Sequence, residues 1–366
     1  MHCLRQLKQF FLISLFIFPV ALGAKPSILW AKDCIDWPKI MAQYELSLMP
    51  EGNTVLVTPF TNFTKKAEDD WLTTGIRDYI ADLIRSSNRL KVFAGPTAQY
   101  RTIQATDFTI SGKFQRADDQ MRVFISFADG KTGKLLKQLE AAFPYPDNSE
   151  FFSKIADAAN ALLSEMKVKW DTSHFNSVRD ATTSTSAFEN YSKGRNLLET
   201  YRAGNMDKAS DFFTQTKRLD YRSPLGYEGI IAVNTFLGFY YKQMHKPFST
   251  YYQNAEAELI SMAKLTRPRS LVFAYTPKKA IKKQTGGEKL KNRFLLSNAA
   301  FMEALHSSQA GNVEGAASAM RRCVDLVPED AIAWYQLAKI ESQLGNIEKS
   351  REALQKAYSI NACIER

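Results

Sequence analysis

Between residues 51 and 169, short alternating apolar runs trade places with stretches in which apolar residues recur every three or four positions. Val55-Leu56-Val57-Thr58-Pro59-Phe60 is a short β-rich run stopped by proline. Leu72, Ile76, Tyr79, Ile80, Leu83 and Ile84 share one face of a helix, with Asp69-Asp70 as its start signal. Leu90 to Ala94 predicts a second strand closed by Gly95-Pro96, and Phe108, Ile110 and Phe114 begin a further element. Met121, Val123, Ile125 and Phe127 alternate strictly, which marks a half-buried strand entered through an Asp118-Asp119 turn. Gly130 to Gly133 turns the chain again, and Leu135 to Phe143 fits one more strand. Phe152, Ile155, Ala159, Leu162, Leu163 and Met166 then make a closing amphipathic helix. These elements predict an α+β domain over 51–169, a small mixed sheet with helices.

Residues 170–186, ending in Thr182-Thr183-Ser184-Thr185-Ser186, are polar and without period, and predict an interdomain linker. Beyond it, over 187–366, the period is helical. Gly311-Asn312 and Gly345-Asn346 stand 34 residues apart, the tetratricopeptide spacing. In the last unit Trp334, Leu337 and Ala338 take the large, large and small places of a first helix, and Leu354, Ala357 and Ile360 hold the second. Ala316, Met320, Cys323, Leu326 and Pro328 fill the second helix of the unit before and its terminator. The pattern is one of packing, with small residues where helices cross closely and glycine at the turn. Gly204-Asn205, Ala209, Phe213 and Leu219 give a weaker first repeat. Tyr227, Ile230, Ile231 and Gly238 read as a first helix whose partner, with Ala255, Leu259, Met262 and Leu265, arrives about twelve residues late. The expectation is therefore a helical tetratricopeptide solenoid over 187–366, with insertions near 242–249 and 268–287.

The amino-terminus changes the compartment. Arg5 and Lys8 precede an apolar stretch, Phe10 to Leu22, that ends in the small residues Ala21, Gly23 and Ala24, the order of a cleaved signal peptide over 1–24. Cleavage removes two of the 48 basic residues and no acid, so the net charge falls from +10 to +8. The pattern predicts a periplasmic protein that is not a lipoprotein, because Asp33 and Lys32 spoil the site before Cys34. Cys34, Cys323 and Cys363 remain, which allows one intrachain bridge at most. Residues 25–50 read as an arm with Trp30, Trp37 and Pro38 and no clear period.

The run Thr54 to Asn62, Gly75-Ile76, Phe108-Thr109-Ile110-Ser111-Gly112-Lys113-Phe114 and the Gly130-Lys131-Thr132-Gly133 hairpin resemble the TolB amino-terminal-like domains, found in envelope proteins of the FlgO and CsgG kind. In that family the domain is often followed by a Thr/Ser linker and tetratricopeptide repeats, and Ser186 to Arg195 looks like the usual entry into them. Thr58 departs from the more usual leucine. The resemblance implies a bacterial envelope protein and brings no shared catalytic residues.

No catalytic, cofactor or metal site is expected. Gly130-Lys131-Thr132 lacks the first glycine of a phosphate loop, since Ile125 stands there. His174, His245 and His306 are scattered without ligand spacing. The expected role is a non-catalytic adaptor that holds another envelope protein through Tyr191, Tyr201, Arg202, Asn298, Phe301, Leu305, Tyr335, Lys339 and Gln343, because aromatics and arginine anchor interfaces. Ten basic residues against one acid between Lys264 and Arg293 suggest an alternative. There Lys278, Lys279, Lys282 and Lys283 would meet anionic lipid or wall polymer, with nucleic acid excluded by export and by the lack of interleaved aromatics. A regulator, or an enzyme with an unrecognised site in the first domain, is the remaining class.

Overall fold

The computed structural model describes residues 35–99, 105–145, 150–170, 172–265 and 292–364. The expected leader, the insertion at 268–287 and the four clustered lysines lie outside them.

The first part is a mixed sheet. Strands β1 (Thr54–Val57), β2 (Thr61–Asn62), β3 (Lys91–Phe93), β4 (Phe108–Ala117), β5 (Gln120–Asp129) and β6 (Leu135–Pro144) follow the order β3-β1-β4-β5-β6, with β2 beside β4. β1 runs parallel to β3 and β4, whereas β4, β5 and β6 form an antiparallel meander. The alternating residues Met121, Val123, Ile125 and Phe127 are all buried, as their period requires. Helices α2 (Trp71–Arg85) and α4 (Phe151–Glu165) supply the apolar faces that share this core; between them in sequence, the single turn α3 (Pro96–Gln99) follows β3. Gly112 is where two of the quoted segments meet: a Cβ there would sit 2.3 Å from Phe60 Cε1 and 2.3 Å from the Phe124 carbonyl oxygen. The Pro-Phe turn packs its ring into the space the strand glycine leaves open.

Asp69 is not a helix cap. It is fully buried, accepting from Tyr145 Oη at 2.7 Å and Arg116 at 2.6 Å. Burial opposes its charge, but these two donors hold its carboxyl below the usual range. The Gly130 segment is a hairpin turn, in which Asp129 Oδ1 accepts from Lys131 N, Thr132 N and Thr132 Oγ1.

The arm is not irregular either. Asp36 accepts from Lys39 N and caps helix α1 (Trp37–Leu48), with proline in its first turn.

The polar stretch after α4 carries helix α5 (Thr172–Arg179), whose Phe175 and Val178 are buried. Thr182 Oγ1 donates to Asp220 Oδ2 at 2.8 Å. The expected linker is thus a packed element, and the cores on either side of it are continuous: Phe188 meets Trp71, Tyr79, Phe151 and Phe152 across ring-centroid distances of 5.4–6.2 Å.

The remaining helices form pairs: α6 (Thr185–Leu198) with α7 (Ala203–Leu219), α8 (Leu225–Gln243) with α9 (Ser249–Met262), α10 (Arg293–Gln309) with α11 (Val313–Leu326), and α12 (Ala331–Gln343) with α13 (Ile347–Ile360). This is a tetratricopeptide-like helical solenoid. Gly311 and Gly345 adopt φ of 76° and 75° just past α10 and α12, a left-handed backbone that favours glycine. The late partner helix in the second pair has a plain cause: α8 runs to 19 residues, so much of the inserted chain is extra helix. It is apolar nearly all round because neighbours cover it on several sides.

Candidate functional site: the first-helix surface and the junction behind it

The first helices of the pairs were expected to offer a binding surface, and the structure divides that surface in two. In the first half it is filled by the protein itself. Trp37 of α1 packs on Phe236, Phe239 and Tyr240 of α8, with ring centroids 6.0, 5.9 and 4.8 Å away. Tyr44 meets Phe294 of α10 at 4.5 Å, and Tyr201 donates to Glu45 Oε1 at 2.5 Å. An amphipathic helix spaced Trp37, Ile40, Met41, Tyr44 therefore lies against three successive first helices or their ends.

Three of the expected contact residues are closed to a partner, Tyr201 by the arm and the other two by the helices around them. Tyr191 is 1% exposed between Phe188 and Phe213, and Tyr201 is buried under Glu45. Phe301 is 5% exposed, with the Lys242 ammonium 3.6 Å from its ring centroid and Phe248 beside it. The Tyr191 ring packs within the first pair, whereas Tyr201 meets Phe236 and Phe301 meets Phe248 across pairs. Arg202 is exposed at the turn between α6 and α7.

The second half stays open. On α12, Tyr335 is half-buried and Lys339 and Gln343 are exposed, and the Lys339 ammonium stands 4.3 Å from the Tyr335 ring centroid. Spacing of four residues places the three in one row along the helix. Asn298 and Leu305 of α10 are partly exposed.

Behind the arm, a charged seam joins the sheet domain to the array. Arg195 of α6 reaches Asp82 of α2 at 2.9 Å and Asp78 at 3.6 Å, and Arg77 reaches Glu199 at 2.9 Å. Arg77 also pairs with Asp78 at 2.6 Å, and Arg85 with Asp82 at 2.9 Å. Burial raises the carboxyls of Asp82 and Glu199 above their ordinary range. Asp78, burial notwithstanding, is held below it by Arg195 and Arg77. The reading of α2 from its apolar positions missed this seam; the signal was Arg77, Asp78 and Asp82 within a helix otherwise built to be buried. Among the described residues no group of three or more His, Cys, Asp or Glu side chains is placed to hold a metal ion. Cys323 is a buried free thiol, and Cys363 is disulfide-bonded.

A tetratricopeptide repeat model matches residues 331–362, the pair that carries Tyr335, Lys339 and Gln343. No curated protein matches the chain in sequence. Among solved structures, a PelC dodecamer from Paraburkholderia phytofirmans is 14% identical, over 33% of this chain and 92% of that one, with a TM-score of 0.25. Lipoprotein GNA1162 from Neisseria meningitidis is 14% identical over 31% and 96%, TM-score 0.23. A double mutant of MamA RS-1 is 14% identical over 58% and 94%, TM-score 0.24. At such scores the fold rests on the helix pairs themselves and on the matched repeat, which supports a scaffold for protein–protein interaction.

Proposed function

We propose that this chain is a non-catalytic, exported scaffold that holds another protein of the bacterial envelope on the open half of its first-helix surface. The observation that carries the reading is the exposed row Tyr335, Lys339, Gln343 within the matched repeat. The arm covers the equivalent surface of the first pairs and leaves this row to a partner. Export is supported by the leader pattern of residues 1–24, by the TolB amino-terminal-like motifs, and by the disulfide at Cys363, which suits an oxidising compartment.

The test is affinity capture from envelope extracts with the intact chain and two variants. A partner held by the wild type should be lost with Tyr335→Ala/Gln343→Ala and kept when Lys278, Lys279, Lys282 and Lys283 become Glu. The opposite outcome, loss on charge reversal alone, would favour the basic segment as a site for anionic lipid or wall polymer.

A further inference from the structure

Four cysteines occur in the sequence, Cys3, Cys34, Cys323 and Cys363. Cys323 is a free thiol and Cys363 is disulfide-bonded, so within one chain the partner of Cys363 is Cys34 or Cys3. Cys3 falls in the expected leader, which cleavage after residues 1–24 would remove. Cys34 remains.

The neighbours of Cys34 and of Cys363 meet the same end of α8. Cys34 directly precedes Ile35, which is buried, and stands three residues before Trp37, whose ring lies 5.9 Å from Phe239 and 4.8 Å from Tyr240. At the turn that closes α8, His245 Nε2 stands 3.1 Å from the carbonyl oxygen of Ile364, the buried residue that follows Cys363. Tyr240 and His245 are five residues apart, within about 8 Å along a helix. The three residues from Trp37 back to Cys34 span up to ~11 Å, and a bridge needs its Cα atoms about 5.5–6 Å apart, so the chain can reach. Cys363 is fixed at its own end, its N–H donating to Asn361 Oδ1 at 3.0 Å.

Such a bridge would tie the arm at both ends, covalently at its start and through the chain into β1 at its finish. Without it, α1 keeps its place by side-chain contacts alone: Trp37 on α8, Tyr44 on Phe294, and Glu45 under Tyr201. Cys363 is only half-buried, so a small dithiol has access to it.

We infer that Cys34 and Cys363 form a disulfide that latches the arm over the first helices, and that a dithiol opens this latch. Thiolate exchange breaks the bond between the two sulfurs. Two electrons and two protons pass from the reductant, both cysteines become thiols, and the reductant's own sulfurs join in a disulfide. The loosened arm then uncovers Phe236, Tyr240 and Phe294, extending the open first-helix surface from α12 back to α8. The latch acts whether or not the Tyr335 row takes a partner.

Peptide mapping of the full chain, purified from an oxidising compartment without reductant, should find the peptide carrying Cys34 joined to the one carrying Cys363. Hydrogen exchange on the same sample reads the latch. Dithiothreitol should speed exchange of residues 37–48 by about tenfold or more and leave β4, β5, α12 and α13 unchanged. Cys34→Ser should exchange fast at 37–48 without reductant and respond no further to it. If that variant folds poorly, dithiothreitol on the wild type decides alone, because the strands and the last helix pair report an intact fold. A bridge to Cys3, a bridge between two chains, or a free Cys363 would overturn the pairing. Equal exchange at 37–48 with and without reductant, or loss of protection throughout the chain, would overturn the latch.

Discussion

Lys242 places its ammonium 2.6 Å from Asp330 Oδ2, with both side chains 2% exposed, so the end of α8 is pinned to the start of α12. Asp330 serves twice, because its Oδ1 accepts from Gln243 Nε2 at 2.8 Å and caps α12 by accepting from Ala333 N at 2.9 Å. Asp330→Ala removes the cap and leaves Lys242 buried without its counter-charge. It should destabilise the helix pairs by about 3–5 kcal/mol in urea denaturation. Lys242→Met combined with Asp330→Asn keeps a cap and removes both charges, and should recover most of that loss. Equal stability of the single and double variants would mean the pair contributes nothing.

The seam at Arg195 makes a prediction about proteolysis. Because α5 buries Phe175 and Val178 and the cores on either side are continuous, residues 172–184 should resist limited digestion in the wild type. Arg195→Ala strips Asp82 and Asp78 of a buried partner and should open that stretch to cutting. Rapid cleavage of the wild type there would show two separately packed halves.

The strands of the sheet were legible because each alternates over a surface with one buried face; Met121 to Phe127 is the clearest case. The arm was legible too and was misread. Asp36 before Trp37-Pro38, then Ile40, Met41 and Tyr44, is a cap followed by a helical face. The segment 172–179 was harder, since two apolar residues in eight polar ones decide its fate. Nothing local separates Tyr191, which packs within its own pair, and Phe301, which packs against the neighbouring one, from Tyr335, which stays half-open. That difference is set by neighbours distant in sequence, such as Lys242 over the Phe301 ring.

Trp37→Ala should release the arm without unfolding the rest. Amide protons of 37–48 should lose their exchange protection while those of α12 and α13 keep theirs, because the Trp37 ring packs on α8 whereas α12 and α13 centre on a separate core. Loss of protection throughout the pairs would contradict a peripheral arm.

Gly112→Ala should destabilise the sheet domain by about 1–3 kcal/mol, because the added methyl meets both the Phe60 ring and the Phe124 backbone. Phe60→Leu in the same chain should relieve part of the clash, and thermal denaturation of the three variants tests the coupling. An unchanged melting temperature in Gly112→Ala would count against this packing.

Asp107 should govern part of the acid response. Its carboxylate pairs with Lys131 at 2.8 Å and accepts from Thr54 N and Oγ1, both at 2.9 Å. These contacts pull its pKa down from the ordinary aspartate range to about 2. The folded state thus binds this proton less readily than the unfolded chain. The stabilisation is complete above the unfolded value and is lost as pH falls from about 4 through about 2. Asp107→Asn should flatten the stability profile across that window, and an NMR titration of the carboxyl gives its midpoint directly.

The scaffold claim is tested most directly by site-specific photo-crosslinking in the envelope, with the reactive side chain placed in turn at positions 298, 343 and 219. Asn298 and Gln343 lie on the open first-helix surface, and Leu219, also exposed, sits at the end of a second helix. The same envelope protein should be captured from positions 298 and 343 and not from 219. Capture from 219 alone, or no protein product from 298 and 343, would contradict the account.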